Sequence, residues 1–304
     1  MNDIDLGIVV PLYNKEDTVA QAVGALLDQT VPPAQVVVVN DGSTDASVAR
    51  LSHLAHNINL VHKANAGCAA ARNTGIGHIR TEWVAFADAD DVWYPERIEK
   101  IRAFLAQHPD VDWLSGQYRA IYADGREEIV PAWGQGDAVL TYFDHADGWT
   151  GLHCPETLVI RRDLLEEVGR FSGRLRCYEV TLMYCALALR RPRMGFLAEP
   201  TLDFYYGTPS SLYDERRACV ETLCAYAEEL LALESRFTPT PPYLRKLITE
   251  TFEEALYFAH RRGQDEVMRY ILREYGTWLR RPVRWKTQLR CGLARLRTPL
   301  RVAG

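Results

Sequence analysis

No stretch of this sequence approaches the roughly 18–20 consecutive apolar residues that cross a bilayer, and no basic-then-apolar leader opens it, so neither a spanning nor an exported protein is expected. The seven cysteines (Cys68, Cys154, Cys177, Cys185, Cys219, Cys224 and Cys291) are odd in number and contain no C-x-x-C pair. That speaks against a disulfide framework and a zinc knuckle, and a reducing, cytoplasmic compartment is expected. No G-x-G-x-x-G follows the first apolar run, which argues against a dinucleotide-dependent enzyme. Internal repeats and low-complexity segments are missing as well. Acidic residues stop at Glu274, although Arg280, Arg281, Arg284, Lys286, Arg290, Arg295, Arg297 and Arg301 follow. What is present is ordinary for a globular chain: 304 residues, 47% hydrophobic and 25% charged, long enough for one large or two medium domains that need no covalent staples. The net charge of −5 hides a division, because the acid-free tail leaves −13 on residues 1–274.

The first hundred residues follow a βαβα rhythm, the sequence form of a parallel sheet covered by helices. Leu6–Leu12, Gln35–Asn40, Ile58–His62 and Trp83–Ala87 are short and apolar on both faces, as buried parallel strands must be. Helical spacing of apolar residues predicts helices over Glu16–Gln29, Asp45–His56 and Gly67–Ile79. Each strand runs into a polar turn, and in an open α/β sheet ligands lie outside the carboxyl ends of the strands. From about residue 108 short strands (Trp113–Tyr122, Thr157–Ile160, Gly195–Leu197, Thr201–Tyr206) read as a mixed extension of the same sheet. Helices follow over Arg216–Glu234, Tyr243–Arg261 and Gln264–Leu279.

Three carboxylates, Asp88, Asp90 and Asp91, project from the end of the strand WVAFA. Like charges so close are unfavourable unless a cation sits among them, and Mg²⁺ or Mn²⁺ held by one or two carboxylates plus substrate phosphates answers that need. A solvated acidic turn is the plain alternative. Pro95 suits the first turn of the helix that follows. Asp41 ends the run Val36–Asn40 facing the same edge, where a carboxylate can accept a pyrimidine imide N–H or ribose hydroxyls; equally, Asp41-Gly42 could simply turn the chain. Pro11 and Tyr13 end the first strand and offer a face on which a base could stack.

Together VVPLYNKE, VVVVNDGSTD, NAGCAAARNTG and FADADDVWYPERIEKI, in this order and spacing, resemble the GT-A glycosyltransferases of family 2 over the first ~105 residues, and less closely to about residue 211. The resemblance implies a fold: an α/β GT-A domain, Rossmann-like in its nucleotide-binding half, with a mixed sheet flanked by helices. It implies that Pro11 and Tyr13 line a nucleotide pocket, that Asp41 reads the pyrimidine, and that Arg72 lies beside base or phosphate. Asp88 would touch ribose or donor sugar, and Asp90 would bind the metal bridging the diphosphate, with Asp88 or Asp91 completing the shell.

An inverting transfer needs a base for the acceptor hydroxyl. In the resembling family that base is the carboxylate of a Glu-Asp pair at a helix start; here Tyr178 replaces the first member and Glu179 is the only carboxylate left, so Glu179 is the expected base. Capping or ion pairing with Arg174 or Arg176 is its structural alternative. Phe204–Ser211 resembles the family's closing Y-R-x-H…S segment without its Arg and His, so other cations, Lys63 among them, would have to support the diphosphate. His153, Cys154 and Glu156 fall where the acceptor commonly lies, or in a surface loop.

Other readings compete. Asp88-Ala89-Asp90-Asp91-Val92 also fits the nucleophile loop of a haloacid-dehalogenase-like phosphatase, though three strands precede it. A nucleotide-sugar-binding subunit without turnover would explain Tyr178. Processive synthases carry Q-x-x-R-W, whereas Arg281 stands where Gln should precede Arg284-Trp285. In the tail, Leu289, Leu293, Leu296 and Leu300 share a helical face flanked by basic residues, suited to an anionic membrane surface or, equally, to packing on the acidic body of the chain or to self-association. Nucleic acid is not an expected partner. The expected organisation is a GT-A domain over 1–211, with a nucleotide-binding half 1–107 and an acceptor half 108–211, followed by a helical extension over 212–304. The expected reaction moves a sugar from a nucleotide donor, UDP-linked, to a glycan or lipid-linked glycan hydroxyl.

Overall fold

Ile8, Val9 and Val10 are fully buried, as are Val37, Val38 and Val39, which is what strands covered on both faces require. In the computed structural model, which describes residues 4–132, 135–145, 153–206, 220–236 and 239–290, these runs form β1 (Leu6–Leu12) and β2 (Gln35–Asn40). With β3 (Asn59–His62) and β4 (Trp83–Phe86) they make a parallel block in which β1 lies between β2 and β4. The chain runs outward from β1 to β2 and β3, then returns to β4 on the other side, so the sheet reverses its winding between β1 and β4. That reversal opens a crevice at the carboxyl ends of both strands.

The crossovers are α1 (Val19–Leu27), α2 (Ser47–Arg50) and α3 (Cys68–His78). The long helix expected over Asp45–His56 is not formed: α2 is a single turn continued by a 3₁₀ turn, Ser52–Leu54. Leu51 is its one fully buried apolar residue, too little burial to reward a longer helix. Helix α3 lies close on β1, since a Cβ on Gly75 would stand 2.3 Å from Val9 Cγ1.

The remainder of the first unit comprises β5 (Val92–Trp93), α4 (Arg97–Gln107), β6 (Trp113–Gly116), β7 (Tyr118–Tyr122), β8 (Glu127–Val130), β9 (Ala138–Thr141), α5 (Tyr142–His145), β10 (Val159–Arg161), α6 (Arg162–Val168), α7 (Glu179–Arg190), β11 (Arg193–Leu197) and β12 (Leu202–Tyr206). The main sheet has eight strands in the order β3-β2-β1-β4-β10-β6-β11-β9, with β10 antiparallel to both β4 and β6. Two expectations are corrected here. Trp113–Tyr122 is not one strand, because at Gln117 the backbone N–H bonds to Leu197 O and the side-chain amide to Pro131 O, turning the chain out of the sheet. The later strands do not all extend one sheet either: β5-β12-β7-β8 form a second, four-stranded one. Pro95 precedes α4 by two residues rather than opening it, since β5 intervenes after the acidic turn.

By internal contacts the chain divides into units Met1–Tyr213 and Asp214–Gly304. The second is helical: α8 (Val220–Glu234), α9 (Pro242–Arg261), α10 (Asp265–Tyr275) and α11 (Arg281–Arg290). Leu223, Tyr226 and Leu230 of α8 are buried together with Leu244, Ile248, Phe252 and Leu256 of α9 and Ile271 of α10, and the Phe252 ring stacks on Tyr275. Helix α10 stops before Leu279, which the sequence places inside it. Arg280 lies beyond it and pairs with Glu253 of α9. Among the described residues no helix is long and apolar enough to cross a membrane. The tail from residue 291 on, with Leu293, Leu296 and Leu300 of its leucine face, and the segment 207–211 lie outside what is described.

Candidate active site

The turns after β1 and β2 are knitted to each other. Asn14, at positive φ, donates its N–H to Ser43 Oγ and takes the Thr44 N–H on its side chain; the Glu16 N–H bonds to the Asp45 carboxylate, and Glu16 Oε2 accepts the Ala46 N–H. This fixes Tyr13, 45% exposed, at the lip of the crevice, with Pro11 half-buried behind it. Asp41 at the end of β2 is buried. Its oxygens accept the N–H groups of Ala66 and Gly67 (3.0 and 2.8 Å) and the Lys63 ammonium (2.5 Å), so it pins the loop that opens α3. Lys63, expected to face a diphosphate, is thus engaged by Asp41.

The acidic turn follows β4, whose end is tied to β1 by the Ala87 N–H on Val9 O. Its three carboxylates take three different partners. Asp90, expected with Asp88 at the metal, is ion-paired to Lys15. Asp91 is buried and accepts the Tyr205 N–H of β12 at 3.0 Å. Asp88 receives Arg72 Nη2 at 3.0 Å. A fourth carboxylate joins them, for Glu156 has ligand oxygens within 4.8 Å of those of Asp88 and Asp91. The surface-loop reading of Cys154 and Glu156 is therefore wrong: Glu156 is 0% exposed, and its Oε2 accepts the Cys154 thiol at 2.8 Å. His153 turns the other way, to the Tyr142 hydroxyl at 2.6 Å.

The cluster carries perturbed protonation equilibria. Burial, reinforced by Asp88 and Asp91, holds Glu156 well above the usual carboxylate range, and burial with Asp90 and Asp88 does the same to Asp91. Asp90 is raised by burial, against the pull of Lys15. Burial would raise Asp88 too, but the Arg72 guanidinium, a hydrogen bond with Glu156 and the charge of Lys15 together outweigh it, and the net shift is downward. Three carboxyls, two of them buried, whose oxygens lie within 4.8 Å of one another make a hard-oxygen cradle that a divalent cation fits.

Glu179 opens α7, immediately after Tyr178 at φ 68°. The expected partners Arg174 and Arg176 give way to Arg72, whose Nη1 reaches Glu179 Oε1 at 3.3 Å. Arg72 itself is 2% exposed, lies 5.5 Å over the Phe171 ring and bridges the carboxylates of Asp88 and Glu179. Of the expected site residues, Asp88, Arg72 and Glu179 form one connected group, and Asp90 pairs separately with Lys15 of the neighbouring turn. Sequence reasoning missed Lys15 as a member of the site, and it put Glu156 on the acceptor side or in a surface loop rather than beside the acidic turn. The signal for Lys15 is its place directly after the β1 turn; Glu156 reaches the turn only because β10 pairs antiparallel with β4 (Val159 opposite Ala85), which no local pattern announces.

Comparisons with known proteins fit this geometry. Over 110 residues the chain is 39% identical to the uncharacterized glycosyltransferase YibD of Escherichia coli (strain K12), covering 35% of this chain and 32% of that protein. It is 34% identical over 119 residues to the glycosyltransferase GlyA of Streptococcus pneumoniae, covering 38% of this chain and 17% of that one, so only a third or less of either relative is spanned. In fold it is similar to S. aureus TarS residues 1–349 in complex with UDP-GlcNAc (TM-score 0.66, 21% identity, 86% of this chain and 75% of that chain). The mannosyltransferase PcManGT of Pyrobaculum calidifontis, in complex with GDP-Man and Mn²⁺, is similar at TM-score 0.53 and 18% identity, over 95% of this chain and 84% of that chain. The sequence pattern described as Glycosyl transferase family 2 matches residues 7–169, more than half of the chain. With a GT-A fold, an acidic turn at the sheet's winding reversal and this match, the chain belongs to glycosyltransferase family 2.

Proposed function

We propose that the chain transfers one sugar per encounter from a UDP-linked donor to a hydroxyl of a glycan or lipid-linked glycan, with inversion at the anomeric carbon. The observation that carries this reading is the Asp88–Arg72–Glu179 chain, which links the acidic crevice to a carboxylate at a helix start. UDP-GlcNAc bound to TarS supports the donor class, and Mn²⁺ with GDP-Man on PcManGT supports a divalent cation.

Pro11 and Tyr13 form the wall against which the base stacks, and Asp41, already oriented by the Ala66 and Gly67 N–H groups, meets the pyrimidine edge. Asp88 and Asp90 hold Mg²⁺ or Mn²⁺, with Lys15 as the counter-charge of Asp90. Such an ion, when bound, neutralises the charge that develops on the departing diphosphate. The buried Glu156 oxygen that receives no donor marks the crevice as one that fits a cation. Glu179 accepts the proton of the attacking hydroxyl, and Arg72 fixes the direction in which that carboxylate points. The cationic run Arg280–Arg301, of which Arg280 is engaged by Glu253, favours a peripheral position on an anionic membrane, where lipid-linked acceptors lie.

A thermal-shift series over UDP-, GDP- and dTDP-sugars with and without Mn²⁺ tests the reading. Stabilisation by uridine nucleotides that requires the metal is expected; no nucleotide response would overturn it.

A further inference from the structure

Glu156 sits in the 3₁₀ turn Pro155–Thr157 ahead of β10, and its peptide is clamped from several sides. Arg97 donates to its carbonyl oxygen at 2.6 Å and to Thr201 with its other terminal nitrogen. Thr157 Oγ1 and the Tyr184 hydroxyl both donate to Cys154 O, at 2.9 and 3.2 Å. The side chain therefore has one direction to take, into the acidic crevice, where Oε2 accepts the Cys154 thiol. Its Oε1 is fully buried and receives no N–H or O–H donor. The groups it faces there are the carboxyls of Asp88, with which it shares a hydrogen bond, and of Asp91. Clustered carboxyl oxygens in a buried site need either a shared proton or a metal cation between them. The neighbouring cations are placed elsewhere: Arg72 on Asp88 and Glu179, Lys15 on Asp90, Arg97 on a backbone carbonyl. Among the described residues neither Asp91 nor Glu156 takes part in an ion pair.

We propose that Glu156 is a direct ligand of a divalent cation at the Asp88–Asp91 turn, so that this cation is gripped by strand ends of both halves of the first unit and binds before any nucleotide arrives. The inference rests on the metal-dependent reading above and goes beyond it. A site that lends one or two carboxylates leaves the rest of the shell to substrate phosphates, whereas a third protein carboxylate raises affinity for the free ion.

The test is an EPR titration of free Mn²⁺ with the full-length chain in the absence of nucleotide, on the wild type and on Glu156→Gln. Measurable binding by the wild type, weakened at least about tenfold in Glu156→Gln, is expected. Glutamine reproduces a neutral carboxylic acid that merely hydrogen-bonds Asp88, so equal Mn²⁺ affinity of the two proteins overturns the proposal. Metal-dependent UDP binding that persists in both would then leave the donor reading standing. A wild type that shows no Mn²⁺ binding, with or without UDP, overturns both. Should Glu156→Gln fail to fold, anomalous scattering from wild-type crystals grown with Mn²⁺ decides. An ion within about 2.3 Å of a Glu156 oxygen bears the proposal out, and an ion bound at Asp88 but out of reach of Glu156 overturns it.

Discussion

Arg72 and Glu179, 107 residues apart in sequence, meet at 3.3 Å, and the second terminal nitrogen of the same guanidinium stands 3.0 Å from Asp88. One planar cation thus joins α3, the acidic turn after β4 and the start of α7. A planar fork holds two carboxylates at fixed angles, whereas an ammonium, a point charge on a flexible stem, can reach both but fixes the direction of neither.

If Glu179 receives the acceptor proton, Glu179→Gln keeps its shape and its contact with Arg72 but cannot act as base. The expected result is a loss of about 10²–10⁴ in kcat with nucleotide affinity retained. UDP release measured with and without acceptor checks it, and full activity would remove Glu179 from the role.

Arg72→Met leaves two carboxylates facing each other without their cation. We expect it to cost roughly 2–3 kcal/mol in denaturant unfolding, less than for a fully buried pair because the Asp88 side chain keeps 29% exposure. Arg72→Lys should recover most of that stability yet little of the turnover, since a point charge cannot orient Glu179 and hold Asp88 together.

Asp45 ties the turns after β1 and β2 through the Ser47 hydroxyl and the N–H groups of Ser47 and Glu16. Slight burial raises its carboxyl, but these hydrogen bonds outweigh it and the net shift is downward. A carboxyl depressed in the folded state contributes stability above its unfolded value, about 3.9, that is lost as pH falls through the folded one. Asp45→Ala should therefore be less stable than wild type by about 1–2 kcal/mol at pH 7, with the gap closing below about pH 4. Urea unfolding at several pH values checks it.

Gly75→Ala tests the approach of α3 to β1. The added methyl would meet Val9 in the middle of the sheet, an overpacking cost of about 1–3 kcal/mol despite the better helix propensity of alanine. An unchanged or raised Tm would show that the sheet yields at no cost.

The parallel block was legible because runs such as Val36–Val39 are both β-branched and fully enclosed, so local preference and burial agree. The acidic turn was legible for the same reason, since a strand that ends in carboxylates has one edge on which to present them. Where readings failed, non-local structure decided. Trp113–Tyr122 has the composition of one strand, and only Leu197 and Pro131, distant in sequence, break it at Gln117. The expected helix over Asp45–His56 lacked a surface to bury. Glu156 became part of the site through an antiparallel insertion between β4 and β6 that its neighbours in sequence do not encode.

The bond from the Tyr205 N–H to Asp91 gives the crevice a built-in gauge. That amide can trade its proton with solvent only when the carboxylate lets go. The exchange lifetime of one backbone hydrogen on β12 therefore tracks how firmly the acidic turn is held, and mass-resolved deuterium uptake at Tyr205 could follow donor loading without any label on the sugar.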